Sequence, residues 1–228
     1  MMDAAELEVV ALSLRVALAS VAASLPPAIL CAWILARRQF PGKTLFDALV
    51  HLPLVLPPVV VGYALLLAFG RNGPLGSLLE PLGITFAFRW TGAALAAAVM
   101  GFPLMVRAIR LSMEAVDPRL EAASRTLGAG PWRAFATVML PLAWPGLVTG
   151  SLLAFARSLG EFGATITFVS SIPGETRTLP LAIYGATQVP GGDALALRLS
   201  IVSVLLSLGA LAVSEWLTRR RVPGRAHA

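Results

Sequence analysis

Long uninterrupted apolar stretches constrain this chain more than any other feature of its sequence. They occupy about residues 9–36, 48–69, 91–111, 145–170 and 194–217. Each reaches or exceeds the ~20 residues with which a helix crosses the hydrocarbon core of a bilayer. Inside lipid every backbone polar group must be bonded within the protein, and a helix meets that demand alone. The sequence therefore predicts an all-α membrane protein, with residues 1–228 forming a single transmembrane domain of about five spans.

Composition supports a membrane protein and bears on its surroundings. Hydrophobic residues make up 57% of the chain and charged residues 13%, whereas soluble domains carry roughly 25% charged residues. The formal net charge is +6. A basic balance can indicate nucleic-acid binding, but in so apolar a chain it is more typical of Arg- and Lys-rich cytoplasmic loops. We expect contact with membrane lipid and no nucleic-acid partner.

The placement of charge along the chain predicts its orientation. Residues 3–8 are acidic, whereas residues 37–43, 112–144 and 219–221 are rich in Arg and Lys. Basic loops remain in the cytoplasm, so these three segments are predicted to be internal. The chain is therefore expected to be a multi-pass protein of the cell inner membrane, with its N-terminus outside and its C-terminus in the cytoplasm.

Residues suited to catalysis or metal binding are sparse. Cys31 is the only cysteine, and His51 and His227 are the only histidines, so neither a disulfide nor a metal-ligand spacing is available. The sequence contains no HExxH, GxSxG or phosphate-binding GK[ST] motif. We therefore expect a non-catalytic protein that binds no metal and no cofactor of its own.

The most informative segment lies between the third and fourth apolar stretches, within the loop at about 112–144. From Pro118 it reads PRLEAASRTLGAGPWRAFATVMLPL. Residues 120–127 are Ala-rich and precede Gly128, a residue favoured just past a helix end. A second helical piece is predicted to start at Pro131 and to stop before Pro141. The pattern predicts helix, turn, helix; an ordinary polar loop is the alternative.

This segment resembles the EAA loop of ABC-type importer permeases. Glu121-Ala122-Ala123, then Gly128, then Val138-Met139-Leu140-Pro141 follow the family order, with Val in place of Ile. Four residues rather than three separate Ala-Ala from Gly, so Glu121 lies one position farther from Gly128 than the acidic residue of the family pattern. The resemblance implies a coupling helix that docks on a separate ATPase subunit. The residues expected at that contact are Arg119, Glu121, Ala122, Ala123, Arg125, Gly128, Pro131, Leu140 and Pro141.

Two further motifs indicate a translocation path. Arg157 and Glu161 share a helix face in a stretch where a lone charge costs roughly 2.5–3.5 kcal/mol. The stretches ARSLGEFGAT and LPLVLPPVVVGY resemble molybdate, sulfate and tungstate permeases. The residues expected at the path or its gate are Pro57, Pro58, Gly62, Arg157, Glu161, Phe162 and Gly163. The alternatives are a structural ion pair and a kinked helix without a special role.

The last predicted outer loop reads PGETRTLPLAIY and resembles the same group. Thr176, Arg177 and Thr178 are the residues expected to contact a periplasmic oxyanion-binding protein, although a plain solvated loop fits equally well. Residues 179–189 are predicted to form a short re-entrant or surface helix. The sequence thus places a candidate docking site on the outer side, opposite the ATPase.

The resemblance covers about residues 12–217 and implies the permease subunit of an ABC-type importer. It also implies a homodimer, cytoplasmic ATPase subunits that bind ATP-Mg in place of this chain, and a periplasmic binding protein. The short chain favours molybdate, with sulfate and tungstate open. Other classes remain: a membrane-embedded enzyme, or an ATP-independent channel or secondary carrier, which would not need the loop at 121–141.

Overall fold

A computed structural model describes residues 3–220 of the chain, with side chains for residues 3–213. The regular structure of that part is helical throughout. The helices are α1 Ala4–Arg37, α2 Lys43–Val55, α3 Pro58–Phe69, α4 Pro74–Leu79, α5 Trp90–Glu114, α6 Pro118–Thr126, α7 Pro131–Ala134, α8 Leu140–Leu142, α9 Trp144–Leu159, α10 Gly163–Val169, α11 Leu179–Thr187 and α12 Asp193–Arg220. A 3₁₀ turn, Glu80–Leu82, follows α4, and a π-helical turn, Phe135–Met139, joins α7 to α8.

Helix α5 is the centre of the molecule, with α1 and α9 packed against it. Small residues allow the close approach of α9, as they do between membrane helices generally. A Cβ added at Gly150 would lie 2.9 Å from the Met105 carbonyl oxygen, and one at Gly146 would lie 2.3 Å from the Ser112 Cβ. The glycines of α9 therefore set the distance between these two helices.

The shorter helices surround this three-helix centre. Helix α10 packs between α3 and α5, while α12 packs against α9 and α11. At the end of α5 that leads to α6, Arg110 donates from Nη1 to Asp47 Oδ2 at 2.9 Å and from Nε to Glu114 Oε1 at 2.8 Å. This ion network ties α2 to α5, a contact that sequence patterns do not predict.

Among residues 3–213, three helices are long and apolar enough to cross a bilayer: α1, α5 and α12 through Val213, with mean hydropathies of 1.9, 1.7 and 2.1. Two bent pairs raise the number to five when each pair counts as one span. One pair is α2 with α3, bent by 111°, and the other is the helical stretch Pro131–Leu142 with α9, bent by 68°. The prediction of an all-helical membrane protein is confirmed.

Helix breaks fall inside two of the predicted spans. In the stretch at 48–69 the break lies at Leu56, whose ψ of 143° is extended. A residue before proline avoids the helical region, and Pro57 itself precedes Pro58. In the stretch at 145–170, α9 stops at Leu159 and α10 starts at Gly163. That second break differs from the continuous helix expected from hydropathy.

The predicted end before Pro141 is wrong. Helical structure continues through Pro141 to Leu142, by way of the π turn Phe135–Met139. Proline lacks an amide hydrogen and clashes with the carbonyl four residues earlier in a regular helix. The wide turn shifts that carbonyl and so accommodates the proline. The short helix predicted at 179–189 is present as α11.

Candidate functional site: the α6–α8 segment and the helix breaks

Both ends of helix α6 are fixed by local hydrogen bonds. Asp117 caps its start, accepting at Oδ1 from the Arg119 amide at 2.9 Å. At its end Gly128 adopts φ +90°, the left-handed conformation that glycine tolerates. The Ala129 amide donates to the Ser124 carbonyl and the Gly128 amide donates to the Arg125 carbonyl. This pair of bonds is the Schellman motif, and it confirms the helix end predicted at Gly128.

The surface formed by α6, α7 and the turn between them, here called the coupling surface after its predicted role, carries three large exposed apolar side chains. Leu127 is 89% exposed, Trp132 71% and Leu120 49%. Apolar groups exposed among charged neighbours are typical of surfaces that contact a protein or a membrane. Of the residues predicted to contact a partner, most are exposed: Arg119, Ala122, Ala123, Arg125, Gly128, Pro131 and Pro141. Glu121 and Leu140 are half-buried.

The end of α1 contacts the α6–α8 segment, which sequence reasoning did not anticipate. Arg37 donates from Nη2 to the Val116 carbonyl at 2.7 Å and lies 3.8 Å from Met139 Sδ. One helical turn earlier, the Trp33 ring lies 6.2 Å from that of Trp132 and 5.9 Å from that of Phe135. The only sequence signal for this contact is the basic run at the end of the first apolar stretch. That run indicates a cytoplasmic position but does not identify the residues that Arg37 contacts.

The predicted path residues from two distant stretches meet where α3 and α10 begin. A Cβ at Gly62 would lie 2.4 Å from the Ala164 carbonyl oxygen. A Cβ at Gly163 would lie 2.7 Å from the Pro58 Cβ. Pro57 is exposed beside this contact. The two glycines let the half-helices α3 and α10 cross in direct backbone contact.

Arg157 and Glu161 lie at the break between α9 and α10. Glu161 is 2% exposed, and its Oε2 lies 2.7 Å from Arg157 Nη2. Within the described residues that oxygen has no hydrogen bond of good geometry, so the attraction is mainly coulombic. Glu161 Oε1 accepts from the Ala164 amide at 2.8 Å. One carboxylate therefore both neutralises Arg157 and caps the first turn of α10.

The neighbours of this pair complete the break. Ser158 lies beside Arg157 in the sequence, and its hydroxyl is 3.0 Å from that of Ser20 on α1. The Phe162 ring lies 5.0 Å from the Tyr184 ring on α11. Arg157 keeps 27% of its side chain exposed. The predicted path residues thus form one cluster, and Arg157 is the cation within it that reaches the surface.

On the predicted outer side, only one of three candidate contact residues has substantial exposed surface. Thr176 is fully buried, and its hydroxyl bonds to the Ser170 carbonyl and the Ile172 amide. Thr178 is 5% exposed. Arg177 is half-exposed, with Nε 3.4 Å from Ser171 Oγ. Thr176 therefore holds the loop together, both threonines are buried, and we restrict the predicted binding-protein contact to Arg177.

Metal binding needs several ligating side chains close together. Within residues 3–213, no three His, Cys, Asp or Glu side chains lie close enough together to hold a metal ion. Cys31 is unpaired and half-buried within α1.

The chain is similar in sequence to membrane components of known transport systems. The family model described as "Binding-protein-dependent transport system inner membrane component" matches residues 28–223. The molybdenum transport system permease protein ModB of Escherichia coli K12 is 61% identical over 215 residues, covering 94% of each chain. The sulfate transport system permease protein CysT of the same organism is 41% identical over 181 residues, covering 78% of this chain and 65% of its own.

The fold also occurs in a solved transporter. The bacterial alginate ABC transporter, in complex with alginate pentasaccharide-bound periplasmic protein, superposes with a TM-score of 0.74 at 15% identity. The superposition covers 94% of this chain and 78% of that one. At this identity the likeness concerns the helix arrangement alone.

Proposed function

Because this chain belongs to the family of inner membrane components of binding-protein-dependent transport systems, we propose that it is the permease subunit of an ATP-driven molybdate importer. The observation that carries the substrate is the 61% identity, over 94% of both chains, to a molybdenum transport permease. The sulfate permease is more distant, at 41% over 78% of this chain. Tungstate, a tetrahedral oxyanion of similar shape, is the second candidate substrate.

The coupling surface supports the proposal of an ATPase partner. Its exposed apolar residues, Leu120, Leu127 and Trp132, suit a surface that another protein covers. A cleft on an ATPase subunit would bury them, while Arg119 and Arg125 pair with acidic residues of that subunit. The ATPase, rather than this chain, would bind ATP-Mg, and this chain would carry no cofactor and no catalytic activity.

ATP binding and hydrolysis by the ATPase would drive transport by shifting an equilibrium between two conformations of this chain. Closure of an ATPase dimer would move the α6–α8 segment and so tilt α5 and α9, to which it is directly joined. The ATPase can shift this equilibrium only by as much as its contacts differ between the two states. The exposed, locally capped α6 suits that role, because it can move as a rigid element.

We further propose a single domain of five spans with its N-terminus outside, assembled as a homodimer around a central path. Two bent pairs supply the fourth and fifth spans. Arg157 would face the path at the break between α9 and α10, where its charge would attract an oxyanion. Glu161 would neutralise part of that charge, so that Arg157 binds the oxyanion weakly enough to release it. Arg177 would contact the periplasmic binding protein.

The test is uptake by a reconstituted assembly. This chain is co-expressed with candidate ATPase and binding-protein subunits, purified in mild detergent and placed in liposomes with ATP inside. We expect labelled molybdate to enter only when all three proteins and ATP are present, and unlabelled tungstate to compete better than sulfate. Uptake by this chain alone, without ATPase or ATP, would establish a channel or carrier instead.

A further inference from the structure

The coupling surface and helix α1 are 80 or so residues apart in the chain, yet Arg37 connects them. Its Nη2 donates to the Val116 carbonyl at 2.7 Å, across 79 positions of sequence. Val116 directly precedes Asp117, the residue that caps α6. The same nitrogen lies 3.8 Å from Met139 Sδ, at the end of the π turn. Arg37 thus contacts both the entrance to α6 and the far end of the α6–α8 segment.

Other contacts reinforce this connection without replacing it. Trp33 packs against Trp132 and Phe135, but a polar cleft of about 330 Å³ separates the end of α1 from α6. Glu121 and Arg125 line that cleft together with Arg37. The guanidinium provides a directed polar bond from the end of α1 to the Val116 carbonyl, just before α6 begins, beside an apolar cluster that includes Leu35, Val116 and Met139.

From this geometry we propose that Arg37 is a positioning residue, which makes α1 move as one body with the α6–α8 segment during ATP-driven transport. The proposal rests on the proposed function, since it assigns a route for the motion that the ATPase imposes. The segment is joined covalently to α5 and α9 only. Helix α1 packs on α5 and α9, and Arg37 would add a directed bond from its end to the start of the segment, so all three helices at the centre of the molecule would receive the displacement together.

A part-buried bond from a charged donor suits this role. Met139 is fully buried and Val116 is 7% exposed, so water competes poorly for the Val116 carbonyl. Hydrogen bonds to charged groups are stronger than those between neutral ones, and the bond is directional, so it resists sliding as well as separation. The ring contacts of Trp33 are less directional and would permit the segment to slip.

The functional test compares Arg37→Met with Arg38→Met in the full reconstituted assembly. Arg38 is the adjacent cation, lies 5.1 Å above the Trp33 ring and is exposed. For Arg37→Met we expect normal ATPase binding and continuing ATP hydrolysis, but about tenfold less molybdate imported per ATP. For Arg38→Met we expect an unchanged ratio. An unchanged ratio in Arg37→Met, or loss of ATPase binding in step with transport, would overturn the proposal.

A distance measurement keeps the proposal testable if Arg37→Met transports nothing. Replacement of Cys31 by Ala removes the only cysteine, and spin labels are then placed at Gln39→Cys and Ala136→Cys, both exposed positions. We expect the label distance to stay constant between nucleotide-free and ATP-trapped states, and to shift or broaden in Arg37→Met. A distance that changes with nucleotide while Arg37 is present would overturn the proposal.

The proposed function and the proposed role of Arg37 can be disproved separately. If the assembly without substitutions shows no ATP-dependent uptake, the proposed function is wrong. If that assembly imports molybdate but Arg37→Met keeps the same import per ATP and the same label distances, the proposed function stands and the role of Arg37 does not.

Discussion

Gly62 and Ala164 are in backbone contact, so close that a Cβ on Gly62 would lie 2.4 Å from the Ala164 carbonyl oxygen. A methyl group cannot be accommodated at that distance unless α3 and α10 separate. The two half-helices therefore depend on this glycine for their relative position. Since Gly163 makes a reciprocal approach to Pro58, the crossing is fixed at two points.

The first prediction concerns this crossing. Gly62→Ala is expected to lower the free energy of unfolding by about 1–3 kcal/mol, the usual cost of overpacking, and to reduce transport. The matched control is Gly185→Ala, in helix α11, where an added Cβ would meet nothing within 4 Å. Alanine favours helices over glycine, so the control should be neutral or slightly stabilising. Thermal unfolding in detergent measures both; equal midpoints would contradict the close contact.

The second prediction separates the two roles of Glu161. Glu161→Gln keeps an oxygen that can accept from the Ala164 amide but removes the charge facing Arg157. Glu161→Ala removes both, and loss of one partner of a buried ion pair typically costs about 3–5 kcal/mol. Because Arg157 is partly exposed, the lower end of that range applies. We expect the order of stability native, then Gln, then Ala.

The control for Glu161 is a double replacement. Arg157→Met with Glu161→Gln leaves no unpaired charge, so it should be more stable than Glu161→Gln alone. Free energies of unfolding of the native chain, Arg157→Met, Glu161→Gln and the double variant give the interaction energy as a double-mutant cycle. If the double variant is the least stable of all, the pair is not an ion pair of the kind described.

The third prediction concerns the turn after α6. Gly128→Leu forces a side chain onto φ +90°, which should distort the end of α6 and weaken ATPase binding while leaving membrane insertion intact. Gly130→Leu is the control, because Gly130 has an ordinary φ of −65° and the same open surroundings. Co-purification of the ATPase measures the effect. If both variants retain the ATPase equally, the conformation at the end of α6 is not needed for ATPase binding.

The fourth prediction concerns acid stability at the start of α1. The hydrogen bond from Arg198 is the main cause that holds the pKa of Glu6 below its ordinary value of 4.5. A lowered folded-state pKa stabilises the fold above the ordinary value, and this contribution is lost as pH falls through the folded-state value. Unfolding midpoints of Glu6→Gln should therefore fall below those of the native chain near neutral pH and converge with them in acid.

The control for this prediction is Glu8→Gln, which removes an exposed carboxylate from the same helix. It should preserve the acid-dependent loss of stability shown by the native chain. If Glu6→Gln and the native chain lose stability in parallel down to strongly acidic pH, the Glu6–Arg198 pair contributes nothing to the acid response.

Local chemistry made the α6 turn and the first helix break predictable from sequence. Pro57, Pro58 and Pro131 restrict their own backbone, and Gly128 permits the left-handed conformation that ends α6, so their effects need no knowledge of distant residues. The break at Gly160–Phe162 escaped notice because hydropathy continues across it. It depends on the Glu161 carboxylate bonding to the Ala164 amide, and a charged residue in an apolar run suggests a partner without identifying it.

Contacts across long sequence separations could not be predicted. The bond from Arg37 to Val116 and the burial of Thr176 both result from packing between distant segments. In the sequence Arg37 is part of a basic run, and Thr176 is part of a polar loop expected to contact a binding protein. In each case the residue type was informative about charge or polarity, whereas its partner depended on how α1, α5 and the loop after α10 come together.

The helix breaks also determine where water reaches. Helices α3 and α10 have 12 and 7 residues, too few to span the ~30 Å of hydrocarbon at 1.5 Å per residue. Their irregular junctions cannot face lipid tails, which offer no hydrogen bonds to a bare backbone. If Pro57 and Gly160 lie within the hydrocarbon, the protein around them must be hydrated or covered by another protein surface, and hydration there would let an ion on the proposed path keep part of its solvent shell.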